Sequence, residues 1–257
     1  MSSAIFGYTG FVGGNLVKQV AFDDFYNSAN SHESAGKEYD LVVFSAARAE
    51  KWRINQDPES DLRHIEALEA LVAGVSAKKF VLISTVDVYK SPVDVDEHSQ
   101  IETDGLQAYG SHRYRLEQFV RATHSTALIV RLPGLFGSGL KKNIIFDLLH
   151  DNNLDRIHAD GRFQYYNLNH LWSDISTALQ SELNQVNLTS EPIRTGDIAK
   201  VAFGREFENR PTDVGAGTYD MRTCYAEVFG GSGRYTRTAE QTLIELAGFV
   251  RSEQGVS

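Results

Sequence analysis

The segment Ser3–Leu16, SAIFGYTGFVGGNL, constrains this chain more than any other stretch. Apolar Ala4–Phe6 reads as a strand and the run Asn15–Val20 as an apolar helix. Between them Gly7, Gly10 and Gly13 fall three residues apart. Each has its own task. Gly7 turns the chain tightly off the strand, Gly10 lets phosphates approach the backbone, and Gly13 lets the helix lie close on the sheet. The helix start then offers N–H groups and a positive dipole end to an anion. Thr9, Gly10, Phe11, Val12 and Gly13 are therefore candidates for holding a dinucleotide pyrophosphate, with Gly7 setting the turn. A Gly-rich β-turn in an ordinary α/β domain is the other reading of the same residues.

The rest of the chain has the composition of a folded α/β protein. Its 257 residues, 42% of them hydrophobic, suffice for one large domain or one with a small appendage. A net charge of −9 argues against nucleic acid or an anionic membrane as partner. Cys224 is the single cysteine, so no disulfide framework exists and a reducing compartment fits. Cys and His lack metal-ligand spacing. The first residues show no basic region followed by an apolar core, so no signal peptide is expected. No run approaches the roughly 18 apolar residues that span a bilayer. These features predict a soluble, cytoplasmic protein.

Further strands are expected at DFYNS (24–28), Leu41–Ser45, Lys79–Ser84 and Ala127–Leu132. Only Ala29–Tyr39, polar and Gly-containing, separates the second from the third, too little for a β-α-β crossover. The expected fold is a doubly wound parallel α/β sheet of Rossmann type, truncated on its adenine side, with a small C-terminal lobe. Asp57 as N-cap and Pro58 at the first position start a helix whose buried stripe is Leu62, Ile65, Leu68, Leu71, Val72 and Val75. Val88–Gly105 reads as a polar loop. Helices are expected over Leu106–Ala122, Asn143–His150, Leu171–Leu183, Thr195–Phe203 and Ala239–Val250, and a late strand at Val186–Leu188. Residues 1–137 form the expected dinucleotide-binding domain. Residues 138–257 would complete the sheet and build the substrate lobe.

Four motifs occur in order: the glycine turn, ISTVDVY (83–89), AYGSHRYRLE (108–117) and VRLPGLFG (130–137). Together they resemble the extended short-chain dehydrogenases/reductases, the NAD-dependent epimerase/dehydratase family. The last three are similar to that family's S-T/S-x-x-V-Y strand end, Y-G-x-x-K-x-x-x-E helix and R-x-x-N-V-Y-G segment. The resemblance implies that Tyr109 is the acid/base and Thr85 the hydroxyl that positions the substrate oxygen. It also implies that Ala46 and Ala47 pass beneath the cofactor ribose and that Pro133 lies at the cofactor. For Ala46 and Ala47 a plain tight strand end is equally open.

The chemistry accounts for these residue types. Hydride transfer at an alcohol carbon needs a group that takes or gives the hydroxyl proton. A phenol of pKa near 10 is a poor base at neutral pH, and a cation one helical turn away, together with the nicotinamide charge, would lower it. That cation is Arg113, where the family has lysine. It keeps the charge but is planar and bulkier, and a surface pair with Glu117 is its alternative. His112 and Arg115 read as solvated. Asp87, two residues past Thr85, is a candidate substrate contact or a turn-capping carboxylate. Lys141, Lys142, Arg162 and Arg194 are candidate cations for a substrate diphosphate. In Tyr166–Leu171 (YNLNHL), Asn169-His170 replaces the family's acidic pair and receives no role.

The implied activity is NAD(P)-dependent oxidoreduction, epimerisation or dehydration of a nucleotide-sugar or related hydroxy/keto compound, with a homodimer as a possible assembly. A non-catalytic NAD(P)-binding sensor or scaffold is the alternative. No carboxylate ends the second strand, where Asn27 and Ser28 can donate to a phosphate, so NADP is expected over NAD. No Arg or Lys lies between Lys18 and Lys37, which weakens that grip.

Overall fold

A computed structural model describes residues 1–255. Along the chain the strands are β1 (Ser3–Phe6), β2 (Asp24–Tyr26), β3 (Glu38–Phe44), β4 (Ser76–Thr85), β5 (Val93–Val95), β6 (Ala127–Leu132), β7 (Gly134–Phe136), β8 (Arg162–Phe163), β9 (Tyr165–Asn167), β10 (Gln185–Asn187), β11 (Ile193–Arg194) and β12 (Asp220–Met221). The α-helices are α1 (Phe11–Leu16), α2 (Lys51–Gln56), α3 (Pro58–Ala73), α4 (Ala108–Thr123), α5 (Ile144–His150), α6 (Leu171–Gln180), α7 (Thr195–Phe203) and α8 (Ala239–Glu253). The chain folds as two compact units. The first comprises Met1–Lys90, Ser99–Leu132 and Leu171–Val186; the second comprises Ser91–His98, Pro133–His170 and the chain from Asn187 onward. The divide falls at Leu132, five residues ahead of the boundary expected from sequence, and the first unit takes back α6.

The first unit is built on the six-stranded sheet β10-β6-β4-β3-β1-β2. Pairings β2–β1–β3–β4–β6 are all parallel. Such a sheet must be covered on both faces, and its strands accordingly read as continuous apolar runs. One face carries a ladder of rings, Tyr26–Phe6–Phe44–Phe80–His124, with neighbouring centroids 4.2–5.8 Å apart. Ile65, Leu68 and Val72 of α3 and Leu116 and Val120 of α4 close over it. The alternate residues Ile5, Val43, Val81 and Leu128 are fully buried as well. On α6, Trp172 donates its backbone N–H to Gln19 and packs edge-on against Phe22.

The truncation holds. Between β2 and β3 lies only a 3₁₀ turn, Ser31–Ser34, and β2 is left as the sheet edge. A polar cluster finishes that edge. Lys37 Nζ lies 3.0 Å from Asp24 Oδ2 and 2.7 Å from the Tyr26 hydroxyl, which is 2.8 Å from the Tyr39 hydroxyl. Tyr39 closes the cluster by donating to Asp24, and this bond, with Lys37, holds the Asp24 carboxyl below its ordinary pKa.

The second unit pairs β7 with β9 and β5 with β12 in parallel, and β8 with β11 antiparallel. Its core brings Phe136, Ile145, Leu148 and Tyr165 against Ile198 of α7 and Leu246 and Val250 of α8. A capping box starts α8: Thr238 accepts from Gln241 N–H, and the Gln241 side chain accepts from Thr238 N–H.

Three boundaries differ from the sequence expectation. Helix α1 starts at Phe11 and ends at Leu16, because the turn is tight enough for Gly10 to serve as N-cap. Strand β2 stops at Tyr26, where Asn27 and Asn30 take over the backbone: Asn30 Oδ1 accepts from Asn27 N–H and Asn27 Oδ1 from Ala29 N–H. The polar loop 88–105 contributes β5 to the second unit.

Candidate functional site

The glycine turn sits at the C-terminal edge of the sheet, directly after β1. Gly7 has φ +82°, and a Cβ there would lie 2.6 Å from the Ser45 carbonyl oxygen. A Cβ on Gly13 would lie 2.3 Å from the Gly7 carbonyl oxygen. Both glycines are therefore required by the fold itself. Gly10 is different. It is exposed, its φ of −78° suits any residue, and its nearest obstacle would be Gly7 O at 3.3 Å. The fold demands glycine at Gly7 and Gly13, so a ligand-binding reason for glycine is left standing at Gly10. The open backbone over Thr9 and Gly10 is a cradle that a side chain would fill, and it fits a dinucleotide phosphate. Phe11, Val12 and Gly13 form the first helical turn behind it.

Around this turn the remaining cofactor candidates differ in availability. Asn27 Nδ2 donates to the Tyr8 hydroxyl at 3.2 Å, while Ser28 is exposed. Ala46 and Ala47 follow β3 and pack against the core cluster, and the Ala46 backbone lies against Gly7. Pro133 is buried and opens the second unit's long segment.

Thr85 ends β4, at the same edge of the sheet. Its side chain accepts from Asp87 N–H at 3.2 Å and caps the 3₁₀ turn Val86–Val88. Thr85 is also one of the neighbours that favour the ionised form of the Tyr109 phenol. Tyr109 is 8% exposed, on the first turn of α4. Gly110 makes this approach possible, because a Cβ there would lie 2.0 Å from the Asp87 carbonyl oxygen. Helix α2, not expected from sequence, holds the start of α4: Asn55 Oδ1 accepts from Tyr109 N–H at 3.0 Å and Asn55 Nδ2 donates to Gln107 at 2.9 Å.

Arg113 lies with its guanidinium carbon 4.8 Å from the Tyr109 ring centroid. It is 4% exposed and does not pair with Glu117. Asp61 of α3 accepts from it at 3.1 and 3.3 Å, and the Arg48 carbonyl accepts from it too. His112 is not solvated either, since its Nδ1 lies 2.9 Å from Asp61 Oδ2. Arg115 makes a two-pronged pair with Glu69, at 2.8 Å on each arm. Burial raises the Asp61 pKa, but the hydrogen bonds and charges of Arg113 and His112 together outweigh it, and the net shift is downward.

Arg113 pulls the Tyr109 pKa down, as expected of a nearby cation. Burial raises the Tyr109 pKa, and the opposing pull of Arg113, Thr85 and Lys51 does not cancel it. In the protein alone the phenol stays protonated at neutral pH. Asp87 Oδ1 takes an ion pair from Lys51 Nζ at 2.7 Å, and its Oδ2 lies 3.5 Å from the Thr85 hydroxyl.

Behind the site lies a buried ion network that the motif residues build and sequence reasoning left without a role. Glu117 Oε1 accepts from Ser84 Oγ at 2.5 Å and from Arg131 Nε at 3.0 Å, and Glu117 Oε2 from Arg131 Nη2 at 2.6 Å. Arg131 also donates to the Tyr89 hydroxyl at 2.7 Å. Ser84 and Tyr89 belong to ISTVDVY, Glu117 closes the helix motif, and Arg131 opens VRLPGLFG. Their recurrence at motif ends was the available signal. In the second unit, Arg194 is held by Asp160 at 2.7 Å, and His170 and Asn167 both meet Glu245 at 2.9 Å.

No protein-family model and no curated protein matches the sequence. Solved structures do match. A UDP-galactose 4-epimerase superimposes with TM-score 0.73 at 16% identity, covering 98% of this chain and 99% of that one. MoeE5, in complex with UDP-glucose and NAD, gives 0.73 at 14% identity with 100% of both chains covered. The dTDP-4-dehydrorhamnose reductase of Bacillus anthracis, in complex with NADP, gives 0.69 at 16% identity over 98% of this chain and 99% of its own. The fold is the Rossmann-type α/β fold of these structures. Likeness at this identity carries the architecture, and the chemistry has to be argued from the residues. Among the described residues no helix is long and apolar enough to cross a membrane, and no His/Cys/Asp/Glu group is placed to hold a metal ion.

Proposed function

We propose that this chain is an NAD(P)-dependent enzyme of the epimerase, dehydratase or reductase kind, acting on a nucleotide-sugar or related hydroxy/keto substrate with Tyr109 as acid/base. The observation that carries the reading is that Thr85, at the end of β4, and Tyr109, on the first turn of α4, lie at the edge of the sheet that also bears the glycine turn. Nucleotide-sugar as substrate class is taken from the similar UDP-galactose 4-epimerase and from MoeE5 in complex with UDP-glucose.

A bound nicotinamide would supply the two-electron acceptor or donor for the carbinol carbon. The protein's own groups manage the proton. The Tyr109 phenol gives its proton to a keto oxygen during reduction, and its phenolate takes one from the hydroxyl during oxidation. The Thr85 hydroxyl holds that oxygen in register. Because burial favours the neutral phenol, the chain rests in the acid form suited to reduction. Oxidation needs the phenolate, so its rate should climb with pH above neutrality while the reductive rate holds until the phenol itself titrates. A pH profile flat in both directions would contradict the role of Tyr109.

The competing reading is an NAD(P)-binding sensor or scaffold, favoured by the commitment of Arg113 to Asp61. Incubation of the full chain with NAD(P) and a panel of UDP- and dTDP-sugars, followed by NMR of the sugar, separates the two. Conversion of any sugar supports the enzyme. Cofactor binding without conversion across the panel favours the sensor.

For the cofactor, we propose a preference for NADP. The end of β2 carries no carboxylate, and Asp24 is turned to Lys37 and Tyr39 instead. Ser28 remains exposed to donate to a 2′-phosphate. Calorimetric titration of both cofactors at one salt concentration should show tighter NADP binding, and tighter NAD binding would overturn the preference.

A further inference from the structure

Three cations stand on the segment between β3 and α3: Arg48, Lys51 and Arg53. Lys51 is taken by Asp87. Arg53 lies on α2 opposite the side that carries Lys51, buried Ile54 and Asn55. Arg48 is exposed, and its guanidinium makes no hydrogen bond or ion pair among the described residues. Its backbone, by contrast, is held firmly. Arg113, buried and bonded twice to Asp61, donates to the Arg48 carbonyl. Two residues back, the Ala46 Cα lies 2.8 Å from where a Gly7 Cβ would stand. Two residues span at most about 7 Å, so the chain presents Arg48 beside the glycine turn. The neighbouring imidazole on α3 adds no second cation there: burial, and after it the charge of Arg48, lower the His64 pKa.

We propose that Arg48 is a binding residue for the pyrophosphate of the dinucleotide, its backbone held at the turn by Arg113. The inference rests on the reading of the glycine turn as a dinucleotide site and adds the charged group that the turn lacks. Ser3–Leu16 contains no Lys or Arg, so the turn itself offers only backbone N–H groups and a helix end. A pyrophosphate brings two negative charges, and a guanidinium meets phosphate oxygens with paired donors. Arg113 is badly placed to supply them, being 4% exposed with donors spent on Asp61 and the Arg48 carbonyl. Sheet order decides which phosphate Arg48 serves. Strand β1 lies between β3 and β2, so the ends of β3 and β2 are two strand spacings, about 10 Å, apart. A 2′-phosphate at the end of β2 lies on the far side of the turn from Arg48. The two arginines divide the work: Arg113 is a buried staple joining α4, α3 and the turn after β3, and Arg48 is the exposed ligand.

Calorimetric titration of NAD and of NADP into the full chain, at one low salt concentration, tests the assignment. Arg48→Gln should weaken both cofactors by about 10-fold or more, and by the same factor. Arg48→Lys should lose less, since it keeps the charge and gives up only the paired donors. Arg53→Gln, also exposed, should bind like the wild type, which separates a contact from the general field of a nearby cation. All three variants should keep the wild-type unfolding temperature, because neither guanidinium has a partner in the fold. Unchanged affinity in Arg48→Gln, or an equal loss in Arg53→Gln, overturns the proposal. A loss confined to NADP would assign Arg48 to the 2′-phosphate and overturn it too. If the wild-type chain binds neither cofactor, the dinucleotide reading itself fails and takes this role with it. If it binds them and Arg48→Gln changes nothing, only the role of Arg48 fails.

Discussion

Tyr109→Phe is expected to lower turnover by about 10²- to 10⁴-fold, the usual worth of a positioned acid/base. The substitution keeps the ring under Arg113 and the backbone bond to Asn55, so the fold should survive. Thr85 still caps Asp87 N–H. Cofactor affinity should change little, and the pH dependence of oxidation should vanish with the phenol. Steady-state kinetics over a pH series, with thermal unfolding as a control, checks this. Thr85→Val should cost less, because it removes a positioning hydroxyl and leaves the proton-transfer group in place.

Glu117→Ala is expected to destabilise the protein by about 3–5 kcal/mol, the usual cost of breaking a buried ion pair from one side. Glu117 is 0% and Arg131 2% exposed, so the variant leaves a guanidinium in the core with Tyr89 as its remaining acceptor. Ser84 also loses its acceptor at the end of β4, one residue from Thr85. The damage should therefore reach the site as well as the fold. Replacing both partners, as Glu117→Met with Arg131→Met, should cost less than the single change, because no charge is left buried. Urea unfolding of the three variants measures it. A loss under about 1 kcal/mol for Glu117→Ala would show that water reaches the network.

Much of this was legible in the sequence because it is local. The glycine spacing marked the turn, the apolar runs marked the sheet, and Asp57-Pro58 marked a helix start where Asp57 does accept from Ser60 N–H at 3.1 Å. The short interval before β3 marked the missing crossover by length alone. What escaped was set by distance along the chain. Arg113 finds its partner in Asp61, 52 residues away, and Glu117 finds Arg131 across a strand. No periodicity announces such pairs, and the carboxylate four residues from Arg113, its alternative partner by sequence, is not the one it meets. Helix α2 escaped for another reason. Its six residues, KWRINQ, bury only Ile54, too little for a stripe to show. With it went Lys51. For Tyr109 the helical spacing shows the nearby cation, which does pull the pKa down, and hides the burial that opposes it.

The claim on which the functional account stands is that the glycine turn binds a dinucleotide, and Gly10 is where it can be tested without breaking the fold. Asp is a favoured N-cap, and the φ of −78° at Gly10 admits it. Gly10→Asp should keep the wild-type unfolding temperature while placing a carboxylate against the phosphates. Calorimetric titration of NADP and NAD into the full chain should give saturable binding, weakened by about 100-fold or more in Gly10→Asp, a few kcal/mol of lost affinity. Absence of binding to the folded wild-type chain, or binding that Gly10→Asp leaves unchanged, would contradict the account.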